Sequence, residues 1–438
     1  MRRKDNSPRE YALTIERLSH EGRGVGHVDG KIVFVADALP GERIQARVTR
    51  RHRRFDEAAT ETLENPSADR VAPRCAHAAL CGGCSLQHLA PAAQIAHKQA
   101  VLIELLKHQG NTRPIDILPP ITGPLWAYRR RARLSVRMVH KKGRVLVGFR
   151  EKATHYVTEV IQCAVLHPAV GERLPALRDM IDSLSIREQI PQIEVAVDDD
   201  KALLVIRNMA TPTEEDLRRL WAFETETGLH LYLQPGDPAS CTPVSAPVEL
   251  HYTMSGIRYG FRPGDFVQVN AAINARLVEA AVTMLAPGAD ERVLDLFCGL
   301  GNFTLPLAAT GAASVLGLEG EAALVERARE NSQANGLSNV LFARADLFTP
   351  EGVAPLAGRP FEKILLDPPR SGAEQVLQTL DLSATRRLVY VSCNPVTLAR
   401  DTAILVRDRG FRLQSAGIVD MFPHTAHVES ITLFEPRR

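Results

Sequence analysis

Between about residues 11 and 64, apolar and polar positions alternate in short runs. Segments 12–18, 31–36, 43–49 and 58–63 read as strands. The turn-rich Glu21-Gly22-Arg23-Gly24-Val25-Gly26 and a basic run at 50–54 break them. About five short strands with glycine turns and basic loops predict a small barrel of the OB type. A polar linker follows at 65–73, and residues 91–108 then show helical spacing, with Ile95, Leu102, Leu105 and Leu106 on one side. Residues 121–262 alternate short strands and turns, with helices expected around 172–184 and 213–227. Pattern alone names no fold there.

After Pro263 the texture changes. Segments 292–297, 314–318, 340–343, 363–366 and 387–391 are apolar strands, and helices begin near Asn302, Glu321, Ser371 and Val396. Repeating βα units predict a parallel, doubly wound sheet. Two last strands, 412–419 and 428–434, are expected to pair antiparallel. The expectation is a multidomain α/β chain. It has an OB-type barrel over 8–66, an α+β region over 67–262 and a Rossmann-like domain over 263–438.

A chain of 438 residues is too long for one ordinary core, which agrees with several domains. No stretch has the apolar length needed to span a bilayer. The basic start, Met1-Arg2-Arg3-Lys4-Asp5, lacks the apolar run of a signal peptide, so a cytoplasmic, membrane-free protein is expected. The net charge of +2 conceals strong polarity. Residues 1–54 hold 13 Lys/Arg against 7 Asp/Glu, and residues 126–150 hold 9 Lys/Arg and no acid. Trp126, Tyr128 and Phe149 interleave the second block and could stack bases, so a nucleic acid is the expected partner. The alternative is ordinary solvated charge.

Candidate chemistry collects at the ends of the later strands. Asp295-Leu296-Phe297-Cys298-Gly299-Leu300-Gly301-Asn302-Phe303 sits where a strand meets its helix, and Glu319 ends the next strand. Glycines there let the backbone approach a ligand, and the acid can hold ribose hydroxyls. The third glycine of the dinucleotide fingerprint is missing, and Asp295 suits a cation better than a pyrophosphate. S-adenosylmethionine is therefore expected rather than NAD. Asp346, after the third strand, could accept from an adenine amino group or simply cap a helix.

Two further phrases, Asp367-Pro368-Pro369-Arg370-Ser371-Gly372 and Ser392-Cys393-Asn394-Pro395, also follow apolar strands. Ligands of open α/β sheets bind outside such carboxyl ends. A thiol in that crevice suits covalent catalysis, although a lone cysteine is often only a packing residue. Carbon 5 of uracil accepts a methyl only after a nucleophile adds at carbon 6, and a base must then remove the carbon-5 proton. Among many acids, local pattern does not single out Glu429 for that task, and His424 and His427 are alternatives.

Upstream, Cys75, Cys81 and Cys84 are spaced C-x5-C-x2-C. Such a cluster points to metal rather than disulfides, and tetrahedral zinc and an iron–sulfur cluster both accept four thiolates. His77, His88 or Cys163 could supply the fourth ligand. Cys241 and Cys298 are read as packing residues.

Together, Asp295 to Ala308, Asp367 to Gly372, Ser392 to Pro395 and Asp420 to Ser430 resemble the class I RNA uracil-C5 methyltransferases. That resemblance makes Cys393 the nucleophile and Glu429 the base. It places Gln268, Phe297, Asn302, Glu319, Asp346 and Asp367 around S-adenosylmethionine. The cysteine spacing, with a distant Cys163 before Ala164-Val165-Leu166, is similar to the branch whose members carry a [4Fe-4S] cluster on Cys75, Cys81, Cys84 and Cys163. The N-terminal pattern resembles the TRAM domain. This combination implies a 23S ribosomal RNA substrate, with a uridine flipped out of a loop or bulge, and a monomeric enzyme. Another rRNA uridine, a tRNA, and a non-catalytic RNA-binding assembly factor are the alternatives. An amino-methyltransferase fits less well, because Arg370 stands where such enzymes place a stacking aromatic.

Overall fold

The computed structural model describes residues 10–437, so the basic start lies outside the described residues. Two compact units divide the chain. The first comprises Met1–Val101, Arg150–His155 and Phe422–His427, and the second Leu102–Phe149, Tyr156–Met421 and Val428–Arg438.

Within the first unit six strands form one sheet. Their order is Glu10–Thr14, Arg43–Arg51, Phe55–Asn65, Lys31–Ala36, Gly24–Val28 and Arg17–Leu18. The two outermost strands are consecutive in sequence, so the sheet curls shut on itself. Gly26 permits the closure, since a Cβ there would stand 2.6 Å from the Thr14 carbonyl oxygen. Leu13, Ile15, Val33, Val35, Ile44 and Ala58 fill the interior. The barrel has six strands rather than about five because 10–18 breaks into two short pieces. Register shifts between Arg43–Arg51 and Phe55–Asn65, two with the extra residue on the latter strand and one on the former, bend the longest pairing.

The second unit holds two large sheets. The region whose fold the pattern left open is a six-stranded mixed sheet, ordered Thr242–Pro243, His230–Gln234, Ala202–Arg207, Gln192–Val197, Arg131–Val139 and Arg144–Gly148. Helices Leu174–Ser183 and Glu214–Thr227 contribute to its core through Leu177, Ile181, Leu220 and Phe223. Thr213 and Asp216 cap the second helix reciprocally, which fixes its start.

The other sheet carries the candidate chemistry. Its strands are Arg292–Leu296 (β1), Ser314–Glu319 (β2), Val340–Arg344 (β3), Lys363–Leu366 (β4), Arg387–Ser392 (β5), Phe411–Val419 (β6) and Glu429–Pro436 (β7). They lie in the order β3-β2-β1-β4-β5-β7-β6. β1 to β5 are parallel, while β7 runs antiparallel to both β5 and β6. An eighth strand, Asp116–Ile117, pairs with β6 from far earlier in the chain. Gly417 allows this approach, because a Cβ there would meet Leu118 at 2.7 Å. Among the described residues no helix is long and apolar enough to cross a membrane.

Candidate active site

β1 ends at Leu296, and the chain then turns sharply. Phe297 has φ of +65°, Gly299 +56° and Gly301 +96°. An aromatic residue in the left-handed region is strained, and such strain persists where surrounding structure fixes it. The Cys298 amide donates to the Leu318 carbonyl at 3.0 Å, and that of Gly299 to Glu319 Oε2 at 3.1 Å. Glu319 Oε1 also accepts from the Glu321 amide. One carboxylate at the end of β2 thus holds both the glycine turn and the following helix start. No atom lies within 4 Å of where a Gly299 Cβ would stand, so the turn faces open space.

Beneath this turn Asp295 is fully buried. Its Oδ2 accepts from Thr304 Oγ1 at 2.5 Å, while Oδ1 has no hydrogen-bond partner. Burial pushes its carboxyl up to about 8, and the charges of Asp367 and Glu319 add to the effect. Asp367 follows β4, and burial lifts it to about 7. Three carboxyl groups therefore crowd the ends of β1, β2 and β4. An orphaned carboxylate oxygen amid like charges is the environment a cationic ligand relieves. A sulfonium and amino group fit it, and a pyrophosphate does not.

Asn302 is already engaged. It exchanges two amide hydrogen bonds with Asn274, at 2.8 and 3.0 Å, and its Oδ1 accepts from Tyr252 Oη at 3.4 Å. Tyr252 stacks on Tyr259 at 4.7 Å, and the Tyr259 hydroxyl reaches the Asn302 carbonyl. Asn274 and both tyrosines were not legible as site residues, since no motif surrounds them. Gln268 lines a cavity of about 50 Å³ with Tyr252, Met254 and Asn274. Asp346 is exposed and accepts the Phe348 amide at 3.1 Å, an Asx turn beside the helix that Thr349 caps. Phe348 in turn packs against Phe297, with ring centroids 5.5 Å apart.

The thiol and the buried acid meet through strand register. Ser392 of β5 is paired with Ser430 of β7, so Cys393 leaves one strand where Glu429 enters the other. Glu429 is only 4% exposed. Burial pushes the Cys393 thiol up to about 11, the charges of Glu429 and then Asp367 push the same way, and Arg370 opposes them. The loops bearing Asp367 and Cys393 are tied together. Asn394 Nδ2 and Thr397 Oγ1 both donate to the Arg370 carbonyl, at 2.9 and 3.2 Å. Arg400 donates to the Ser371 carbonyl, and buried Asp401 accepts from the Ala373 amide and the Tyr390 hydroxyl. Arg370, read above only as a missing aromatic, is thus the cation nearest in effect to the thiol. Cys298 is buried inside the glycine turn, and half-buried Cys241 lines a separate cavity with Tyr232 and Phe261.

In the first unit, the Cys75–Cys84 loop is pinned by backbone contacts. Cys75 N–H donates to Gln87 Oε1, Cys81 N–H to the His77 carbonyl, and Gly82 N–H to the Arg150 carbonyl. Cys81 Sγ accepts from the Gly83 amide at 3.4 Å. All seven cysteines are free of disulfides. Among the described residues no three His, Cys, Asp or Glu side chains are drawn into a metal-ligand set. The soft donors nonetheless suit an iron–sulfur cluster. His88 is buried against Asp37, and burial lowers its imidazole to about 4. Cys163 stands in the second unit, its amide donating to the Gly171 carbonyl.

The basic block differs from its sequence reading in one respect. Acids from other strands and turns neutralise much of it: Arg130 pairs with Asp199, Arg133 with Glu194, and Lys142 and Arg144 with Glu159. Arg129 instead lies over the Phe149 ring, 5.6 Å from its centroid.

Residues 248–437 match the family described as tRNA (Uracil-5-)-methyltransferase, and residues 8–58 match the TRAM domain. A 23S rRNA (uracil(1939)-C(5))-methyltransferase RlmD from Alkalilimnicola ehrlichii is 52% identical over 99% of this chain and 98% of its own length. The RlmD of Methylococcus capsulatus is 48% identical over 99% of both. Among solved structures, the Pyrococcus abyssi tRNA (uracil-54, C5)-methyltransferase in complex with S-adenosyl-L-homocysteine superposes with a TM-score of 0.75. It covers 97% of this chain and 100% of its own at 22% identity, a likeness of fold. With relatives this similar over nearly their whole length, the chain belongs to the RlmD family of RNA uracil-C5 methyltransferases.

Proposed function

We propose that this chain methylates carbon 5 of a uridine in 23S ribosomal RNA, at the position its relatives' names give as 1939, through a covalent adduct on Cys393. Family membership makes it an S-adenosylmethionine-dependent methyltransferase and, by family association, a [4Fe-4S] protein. The observation that carries the site assignment is the register that brings Cys393 and Glu429 to adjoining strand ends.

In this reading the Cys393 sulfur adds to carbon 6 of the flipped base, and the electron pair moves toward carbon 5 and the carbonyl at carbon 4. Asp367, pushed up to about 7, can hold a proton near neutral pH and offer it as a hydrogen bond to that carbonyl edge. S-adenosylmethionine supplies the methyl. Glu429 then takes the carbon-5 proton, the carbon 5–carbon 6 double bond re-forms, and the sulfur leaves. Gln268, Phe297, Asn302, Glu319 and Asp346 line the donor's side. Of these, Glu319 and Asn302 hold the loop by the bonds described above. Expelling a base from its stack costs a few kcal/mol, about the least in a loop or bulge, so such an RNA element is the substrate.

Cys75, Cys81, Cys84 and Cys163 are the proposed cluster ligands, giving the protein a structural centre with no electron-transfer step to perform. The barrel (8–66), the cluster-bearing region (67–262) and the methyltransferase domain (263–438) are the proposed divisions, in a monomeric cytoplasmic enzyme. Mapping of 5-methyluridine in 23S rRNA from cells with and without the gene tests the substrate. Unchanged methylation at position 1939 in the deletion would refute it.

A further inference from the structure

The segment 422–427, just ahead of Glu429, is held by a set of bonds that the reaction above does not use. His424 has φ of +66°, a left-handed backbone that is strained for a residue other than glycine. Its carbonyl accepts from two successive amides, Ser85 at 3.0 Å and Leu86 at 2.9 Å. Its amide donates to Gln94 Oε1 at 2.9 Å. The Ala426 amide donates to Ser85 Oγ at 2.9 Å, and Lys98 Nζ donates to the Phe422 carbonyl at 3.0 Å. Gln94 is 3% exposed and is itself anchored by the Leu86 and Leu89 carbonyls. Ala426 also packs on the cluster of Leu39, Leu86 and Leu89. Ser85 directly follows Cys84, so this grip is built from the loop that carries three of the proposed cluster ligands.

Bonds at Phe422, His424 and Ala426, with one strained residue among them, exceed what a connecting loop requires. The chain leaves the grip at His427 and delivers Glu429 two residues later. We infer that Ser85 and Gln94 are positioning residues for Glu429, serving the removal of the carbon-5 proton rather than the formation of the adduct. The inference rests on the proposed role of Glu429. In the step concerned, the carbon 5–hydrogen bond breaks and its proton passes to the Glu429 carboxylate. The bonding pair becomes the carbon 5–carbon 6 double bond, and the sulfur–carbon 6 bond breaks to release the Cys393 thiolate. Nucleophilic addition and methyl transfer precede this step and do not need the base.

The test uses the full-length, cluster-containing protein with a 23S rRNA fragment tritiated at carbon 5. It follows protein-linked methylated RNA on denaturing gels and tritium released to water. Glu429→Gln sets the reference, with adduct accumulating and little tritium released. Ser85→Ala and Gln94→Ala should raise the ratio of adduct to released tritium by roughly tenfold or more, since small misplacements of a reacting group cost up to about a hundredfold. Ser85→Thr, which keeps the hydroxyl, should restore the wild-type ratio. Because the readout is a ratio, a variant that folds poorly still reports through its active fraction. A wild-type ratio in both alanine variants, with adduct present in Glu429→Gln, overturns the positioning role alone. No adduct in Glu429→Gln overturns the base assignment and this inference together.

Discussion

Ser392 and Ser430 are register partners on antiparallel strands, and that pairing sets Cys393 and Glu429 at adjoining strand ends. In the proposed mechanism, a nucleophile and a base placed in this way act in succession on one ring. Cys393→Ala is expected to abolish methyl transfer and adduct formation together. Glu429→Gln should slow turnover by about 10²–10⁴-fold while leaving adduct formation intact. Single-turnover assays on an rRNA fragment separate the two outcomes, and parallel loss of both activities in Glu429→Gln would contradict the assigned order.

Burial pushes the Cys393 thiol up to about 11. Its alkylation should therefore climb about tenfold per pH unit between pH 7 and 10, with no plateau near the ordinary value of about 8.5. A donor analogue that keeps a positive charge should move this profile to lower pH, and the uncharged demethylated product should move it less. Arg370→Met should move it upward, since that guanidinium favours the thiolate. Mass spectrometry of Cys393 labelling reads all three, and a profile indifferent to ligand charge would exclude electrostatic activation by the donor.

Asp295, pushed up to about 8, makes the domain sensitive to pH. Unfolding returns the carboxyl to about 4, so the folded form binds the extra proton between these values. The group's contribution to stability is full below about pH 4 and is lost as the pH rises through 8. Asp295→Asn should then melt above the wild type at pH 8, by roughly 5 °C or more, with the gap closing toward pH 5. The same variant should lose the methyl donor. Equal melting curves at pH 8, measured by calorimetry, would mean that Asp295 is not held neutral.

The arginines of the central block are not equivalent. Arg144 shares Glu159 with Lys142 and Arg178, whereas Arg137 is exposed on the neighbouring strand with no ion pair among the described residues. Arg137→Gln should lower the salt dependence of RNA binding by about 0.7–1 in log–log slope. Arg144→Gln should lower it less, because its charge is already compensated. Fluorescence titrations over a range of salt concentrations measure both, and equal slopes would show that RNA displaces the internal acids.

Much of the catalytic sheet could be read from sequence because each strand is an apolar run followed by a distinctive phrase. Local chemistry and tertiary position coincide at Asp295, Asp367 and Cys393. Glu429 was different: only an antiparallel pairing with a strand 38 residues earlier gives it meaning, and nothing around it in the chain reports that pairing. The resemblance to a family supplied what local pattern lacked. Asn274 and Tyr252 were missed for a related reason, since an amide pair and a stacked tyrosine leave no periodic trace. The central sheet was opaque because a single parallel pairing, Ala202–Arg207 with His230–Gln234, sits among antiparallel ones and one strand is only two residues long.

The strand Asp116–Ile117 has a bearing on how this enzyme can be taken apart. Ile115, Leu118 and Ile121 donate amides to the carbonyls of Leu413, Ala416 and Ile418 along the outer side of β6. A fragment cut near residue 263 would carry every proposed catalytic group yet leave that side bare, and an unpaired edge recruits strands from other molecules. The methyltransferase portion is thus not a detachable module. Its border is completed by chain laid down before the central sheet, so a shortened enzyme would need those residues supplied or that edge redesigned.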